Sequence, residues 1–393
     1  MDQGEKEKGA AMKRQRQCIL WLCVLTVLLC ISCGSGTGQA GERDLRISPE
    51  LTYSGSMDLV CAEKFAVDYY EEGYALVTIA EDGRYLLVPE GQEVPEGLSE
   101  DIIPLVQPLD QIYLSASAVM DMFAALDAVD RVRFSSLKAE GWYIEEARAA
   151  MEDGDILYAG KYSAPDFERI VSEGCRLAIE NTMIYHTPEV KEQLERFGIP
   201  VLVDYSSYEP EPLGRTEWVK LYGLLTGREE EAEEIFAEQM EAFSRVSGKE
   251  APGKTVAFFY ITTNGEANVR RASDYLPKMI RLAGGSYLPE HTEEKADTVS
   301  STMTMQMEEF YASARDADYI IYNSAIEGEL SAVKELTDKS SLLEHFRAVQ
   351  EGHVFCTTKN LYQSSMELGT LIQDIHRMMA GEEDGLTYLY KLE

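Results

Sequence analysis

Short apolar runs of strand character alternate with helical runs on either side of one long helical stretch that holds no strand. That alternation leaves the chain few architectures. In the first half, residues 112–116, 132–135, 156–159, 177–180 and 201–205 read as strands, and residues 118–128, 143–151, 165–172 and 188–197 read as helices. Short strands separated by helices predict a parallel sheet with helices on its faces. Upstream, residues 74–79 and 84–88 flank Asp82-Gly83, a hairpin signal. Residues 213–245 are helical throughout, weakened at the start by Gly214, Gly223 and Gly227, so a break is expected near Gly227. After Pro252-Gly253 the alternation resumes, with strands at 256–261, 319–323 and 354–357. Helices there are expected at 275–283, 307–314, 330–336, 341–348 and 365–379. The fold class expected is α/β: two lobes, each a mostly parallel sheet flanked by helices, joined by a long interlobe helix. The first lobe spans 51–212, the interlobe helix 213–248 and the second lobe 249–393.

Ahead of this body, Lys13, Arg14 and Arg16 precede an apolar run from Cys18 to about Ile31. At about 14 residues the run is short for a bilayer span, which needs about 20, and it reads as a secretory signal. Its end, Leu28-Leu29-Cys30-Ile31-Ser32-Cys33-Gly34, resembles a bacterial lipoprotein signal. That resemblance implies that residues 1–33 are a signal ending at Cys33, which is acylated and becomes the mature N-terminus. An ordinary cleaved signal or a short anchor is the alternative. Residues 34–50, opening on Gly34-Ser35-Gly36-Thr37-Gly38, read as a flexible tether. Each reading places the protein outside the cytoplasm and close to the membrane.

Acidic residues number 69 against 36 basic ones, for a net charge of −33. Such a chain is repelled by nucleic acid and by anionic headgroups, so a lipid anchor rather than charge must hold it at the membrane. Three cysteines lie beyond the signal, Cys61, Cys175 and Cys356, widely spaced and without a CxxC pair. They read as small buried residues rather than a disulfide framework. None of the five histidines is paired at metal-ligand spacing, and neither a GxSxG nor an HExxH motif occurs, so no catalytic or metal set is assigned.

Ligands of parallel sheets collect beyond the carboxyl ends of the strands. In the first half those loops carry Lys161, Tyr162, Tyr185, His186 and Tyr208; in the second, Asn264, Arg270, Arg271, Asn323 and Lys359. A phenol is flat, amphipathic and low in rotamer entropy, which suits a large rigid ligand. Arginine offers a planar fork for carboxylate or phosphate. The plainer readings are that Arg270 and Arg271 pair with Glu266 or Asp274, and that His186 bonds backbone at a helix start.

Several segments carry a family resemblance. Gln111-Ile112-Tyr113-Leu114-Ser115, Tyr158-Ala159-Gly160 with Phe167-Glu168-Arg169-Ile170, and Gly198-Ile199-Pro200-Val201 follow one another in the first half. Arg215, Trp218 and Leu221–Gly227 open the long helix, and Ala283-Gly284-Gly285 and Asp316–Ile321 follow in the second half. In order and spacing these are similar to solute-binding lipoproteins of ABC importers, of the type serving iron–siderophores, haem and vitamin B12. The resemblance implies a monomer that captures a metal-chelate cargo between two lobes, needs no cofactor of its own and is not an enzyme. It implies that Glu168 and Glu308 meet arginines of the membrane permease. A free metal-ion receptor, or a lipid-anchored hydrolase or chelatase on a similar frame, remains open beside it.

Overall fold

The computed structural model describes residues 45–80, 82–247, 251–290 and 301–393, and within it Arg46–Glu393 form one compact unit. The signal, with Cys33, and the tether up to residue 44 lie outside the described residues.

The hairpin at Asp82-Gly83 belongs to a larger element. Strands β1 (Tyr53–Ser56), β2 (Phe65–Tyr70), β3 (Ala75–Ile79), β4 (Gly83–Val88) and β5 (Ile102–Val106) form a sheet in sequence order, antiparallel except for β4 with β5. Alternation along its strands serves two cores. Ala75, Val77, Ile79, Tyr85 and Leu87 face the large core of the first lobe. Leu76, Leu86 and Val88 join Ile47, Tyr70, Tyr74 and Ile102 in a small core on the other face.

The second sheet is wholly parallel. It contains β6 (Ile112–Leu114), β7 (Val132–Ser135), β8 (Leu157–Tyr158), β11 (Leu177–Asn181) and β12 (Val201–Asp204), in the order β12-β11-β6-β7-β8. The short strands β9 (Gly160–Lys161) and β10 (Ala164–Pro165) form a separate hairpin. Pro165 therefore ends a strand, and Asp166 caps the helix Phe167–Ser172 by accepting from the Arg169 N–H. Chain direction across the sheet reverses between β6 and β11, the switch point at which ligands of open sheets gather.

β12 is an edge strand, and the Asp82 turn covers it. Asp82 Oδ2 accepts from Val203 N at 3.0 Å and lies 2.5 Å from the Tyr85 hydroxyl. Its other oxygen takes the Tyr185 hydroxyl at 3.1 Å and Lys191 Nζ at 3.2 Å. The first sheet thereby blunts an edge that would otherwise invite another strand. Asp82→Ala is expected to cost about 3 kcal/mol, because it takes the acceptor from a strand N–H and from the Tyr185 hydroxyl and leaves half-buried Lys191 to Glu195, 3.4 Å away; a thermal melt followed by circular dichroism checks this.

The third sheet contains β13 (Thr255–Ile261), β14 (Ala267–Arg270), β15 (Ser286–Leu288), β16 (Thr302–Met305), β17 (Tyr319–Tyr322), β18 (Val354–Thr357) and β19 (Leu389–Lys391). Its order is β16-β14-β13-β17-β18-β19, with β15 beside β13. β13, β15, β17 and β18 are parallel, and β14, β16 and β19 add antiparallel flanks.

Between the second and third sheets the chain forms three helices: Pro212–Glu217, Val219–Thr226 and Glu229–Ser247. The break falls at Gly227, in the left-handed region at φ 70°, where glycine carries no steric penalty. Gly223 serves close packing instead: a Cβ there would stand 2.5 Å from that of Ala232. Ala232 and Phe236 of the long helix belong to the first lobe's core, whereas Phe243 and Val246 belong to that of the third sheet.

Candidate functional site

Beyond the carboxyl ends of the second sheet stands a row of tyrosines. Ring centroids of Tyr185 and Tyr205 are 6.3 Å apart, and those of Tyr205 and Tyr208 are 5.8 Å apart. Tyr185 is exposed, Tyr208 half-buried and Tyr205 buried. His186 is exposed at the end of the turn Thr182–His186. Lys161 and Tyr162 sit at the turn between β9 and β10, exposed and half-buried respectively. Among the described residues no hydrogen bond or ring contact links them to the tyrosine row.

On the third sheet, β14 delivers Arg270 and the turn Lys359–Gln363 after β18 delivers Tyr362. Arg270 Nη2 donates to the Tyr362 hydroxyl, Nη1 lies 3.4 Å from Ser301 Oγ, and Nη1 stands 3.6 Å from Asp274 Oδ2. The plain alternative from the sequence, pairing with Asp274, is thus present, while Glu266 instead takes Gln306 Nε2 at 2.5 Å. Burial works against the Arg270 charge, but Tyr362, Asp274 and Tyr275 outweigh it and hold the guanidinium above its ordinary value. Asp274 is pushed up by burial, opposed by Arg270, and it caps the helix Tyr275–Leu282 through Leu276 N at 3.0 Å. Asn323, 2% exposed at the end of β17, donates from Nδ2 to the Tyr362 hydroxyl at 2.7 Å. Arg271 donates its backbone N–H to Ser301 O at 3.0 Å. Asn264 is exposed in the turn between β13 and β14, and Lys359 pairs with Glu329 at 2.8 Å. The structure therefore gathers Arg270, Asn323 and Tyr362, and leaves Asn264 and Lys359 out of that cluster.

Arg215, from the helix Pro212–Glu217, joins the two groups. Its Nη1 donates to Ser207 O at 3.0 Å beside Tyr208, and its Cζ lies 3.9 Å from the Tyr275 ring centroid. Nearby Asp204 is fully enclosed, accepting from the Tyr222 and Ser206 hydroxyls at 2.6 Å each; burial raises its carboxyl. Sequence reasoning placed Arg215 only in the helix opening and did not single out Asp204. A buried cation in so acidic a chain was the available signal.

At the switch point lies a different feature. Glu180, near the end of β11, has no exposure, and among the described residues neither its carboxylate oxygens nor the Ser115 hydroxyl after β6 has a hydrogen-bond partner. Burial pushes the Glu180 carboxyl up to about 8.

A groove of about 370 Å³ opens between the helices of the first lobe and the segment after β18, with Asp121, Glu145, Glu146 and Glu367 among its lining. None of the ten binding residues expected from the sequence lines it. Segment 363–366 is tied across this groove. Gln363 donates to Gly141 O at 2.8 Å and accepts from Tyr143 N at 2.9 Å, and Met366 N donates to Asp121 at 2.7 Å. Glu168 and Glu308 are exposed, each in the first turn of a helix. Cys61, Cys175 and Cys356 are free thiols. Among the described residues no group of three or more His, Cys, Asp or Glu side chains could hold a metal ion, and no helix is long and apolar enough to cross a membrane.

No family model matches the chain. It is 24% identical over 349 residues to an uncharacterized lipoprotein of Methanocaldococcus jannaschii, covering 81% of this chain and 78% of that protein. A second uncharacterized lipoprotein of that organism is 21% identical, over 91% of this chain and 92% of the relative. Among solved structures, the triscatecholate siderophore binding protein FeuA from Bacillus subtilis, complexed with ferri-bacillibactin, superposes with TM-score 0.56 at 15% identity, over 70% of this chain and 94% of its own. A periplasmic binding protein from Veillonella parvula gives TM-score 0.56 at 17% identity, over 72% of this chain and 96% of its own. The periplasmic heme binding protein HutB of Vibrio cholerae gives 0.53 at 17% identity, over 67% and 96%. The chain has the two-lobed α/β fold of the periplasmic binding proteins of ABC importers.

Proposed function

We propose that this protein is the extracytoplasmic solute-binding component of an ABC importer. It captures a metal-chelate solute, such as an iron–siderophore, haem or a corrinoid, between its lobes and delivers it to a membrane permease. The observation that carries this reading is the link through Arg215: it donates to Ser207 O beside Tyr208 of the tyrosine row and stacks on Tyr275, whose ring centroid lies 6.0 Å from the guanidinium of the Arg270–Tyr362–Asn323 cluster. Flat phenols suit a broad rigid solute, and a buried guanidinium supplies positive potential for its anionic groups. The lipoprotein relatives support an acylated Cys33 and a place outside the cytoplasm. Exposed Glu168 and Glu308 are the proposed docking points for permease arginines, where opposite charges fix register and speed encounter.

The test is a tryptophan-fluorescence and absorbance titration of the full chain in detergent with a ferric triscatecholate, a ferric trihydroxamate, haemin and cyanocobalamin. Saturable binding of at least one is expected, weakened about tenfold or more by Arg270→Ala. A chain that binds none of the four, or that turns over ester, peptide or phosphate substrates, sinks the proposal.

A further inference from the structure

Resting on the reading above, we infer that Tyr362 with Asn323 forms the solute-contacting unit of the second lobe, that it recognises an acceptor oxygen of the solute, and that Arg270 is its positioning residue rather than a contact. The argument is a count of donors and acceptors. The Tyr362 hydroxyl oxygen already accepts from Arg270 Nη2 and from Asn323 Nδ2. Its own proton then points to neither neighbour and must be donated elsewhere. Asn323 is 2% exposed, and among the described residues its Oδ1 has no partner. Reversing the amide would give Oδ1 the phenolic proton and leave the two Nδ2 protons unspent instead. Either orientation leaves a donor available on this pair, so the group it receives is an acceptor such as a carboxylate, hydroxamate or catecholate oxygen.

Arg270 is committed to the protein. Its guanidinium is shared among Tyr362, Ser301 and Asp274, and its side chain keeps only 12% exposure. Its backbone is fixed as well, because the Tyr287 hydroxyl donates to Arg270 O at 2.8 Å and accepts from its N–H at 3.0 Å. Asn323 is held through its own N–H, which donates to Phe259 O at 2.8 Å. Two fixed donors therefore orient a phenol carried on a turn, which is how a rigid scaffold presents a specific hydrogen bond. The anionic partner first expected of Arg270 is met by Tyr362 with the cation behind it.

The experiment uses the full chain in detergent and a ferric triscatecholate, a ferric trihydroxamate and haemin as probes, with wild type, Tyr362→Phe, Arg270→Lys and the double variant. Tyr362→Phe is expected to weaken whichever probe wild type binds by about 10- to 100-fold, and to lower the melting temperature by a few degrees because Arg270 Nη2 and Asn323 Nδ2 lose their acceptor. Arg270→Lys is expected to weaken binding about 5-fold in wild type and not at all in the Tyr362→Phe background, as a residue acting through another must. An unaltered affinity in Tyr362→Phe overturns the inference while leaving the transport reading intact. Equal losses from Arg270→Lys in both backgrounds also overturn it, since the arginine then touches the solute itself. If wild type binds none of these three, the inference is wrong; if it binds neither them nor cyanocobalamin, the function proposed above is wrong as well.

Discussion

Glu217→Ala is expected to lower the melting temperature by about 5 °C, from a loss of about 4 kcal/mol, while the far-ultraviolet circular dichroism of the folded state stays the same. The effect is large because one buried carboxylate holds a whole loop. Glu217 Oε1 accepts from Val60 N at 2.7 Å, and Oε2 accepts from Cys61 N at 2.7 Å and Ala62 N at 2.8 Å. Glu209 continues the series, taking Glu63 N at 2.9 Å and Lys64 N at 2.8 Å, with Trp218 Nε1 at 2.9 Å as a further donor. Successive N–H groups between β1 and β2 thus find no backbone partner in a ladder and are satisfied by two side chains far along the chain. Removing one strands three donors and leaves Lys220, 3.4 Å from Glu217 and only 5% exposed, with less compensation. Glu217→Gln keeps one acceptor oxygen and is expected to cost about half as much. A melting temperature unchanged in the alanine variant would show that water or loop rearrangement replaces the clamp.

Glu180→Gln is expected to stabilise the protein at alkaline pH and to do little in acid. The carboxyl titrates near 8 in the folded state against 4.5 ordinarily, because burial disfavours its charge. Between those values the folded chain binds more protons than the unfolded one, so stability falls as pH rises from about 4.5 to about 8 and then levels off. Below 4.5 both states are protonated and the contribution is complete. The full span corresponds to about 5 kcal/mol, which the neutral glutamine does not lose. Other buried acids, Asp204, Asp274 and Asp374 among them, are raised in the same direction and remain in both proteins. The difference between the two melting-temperature profiles from pH 5 to pH 9 therefore isolates Glu180. Parallel profiles would mean that the carboxyl is solvated or paired after all.

The parallel strands were legible because each is a nearly continuous apolar run between helical patterns, and the Asp82-Gly83 turn because its residue types specify it. The flanking strands were not. β14 reads Ala267-Asn268-Val269-Arg270 and β16 reads Thr302-Met303-Thr304-Met305, half polar because these strands lie beside the parallel core. β1 and β2 are joined by a loop whose hydrogen-bond partners stand about 150 residues away, a dependence no local pattern carries. In the site, Arg270 and Asn323 stood out as strand-end residues, whereas Tyr362 was one tyrosine among many. Their mutual commitment is a tertiary fact, as is the stacking of Arg215 on Tyr275, which links residues from separate helices.

The helix Glu229–Ser247 places Ala232 and Phe236 among the side chains of one lobe and Phe243 and Val246 among those of the other. Melting either half exposes apolar surface on a rod that the surviving half still needs. The two halves are thereby coupled in their disassembly, and heat taken up by one is felt by both as a shared loss of order.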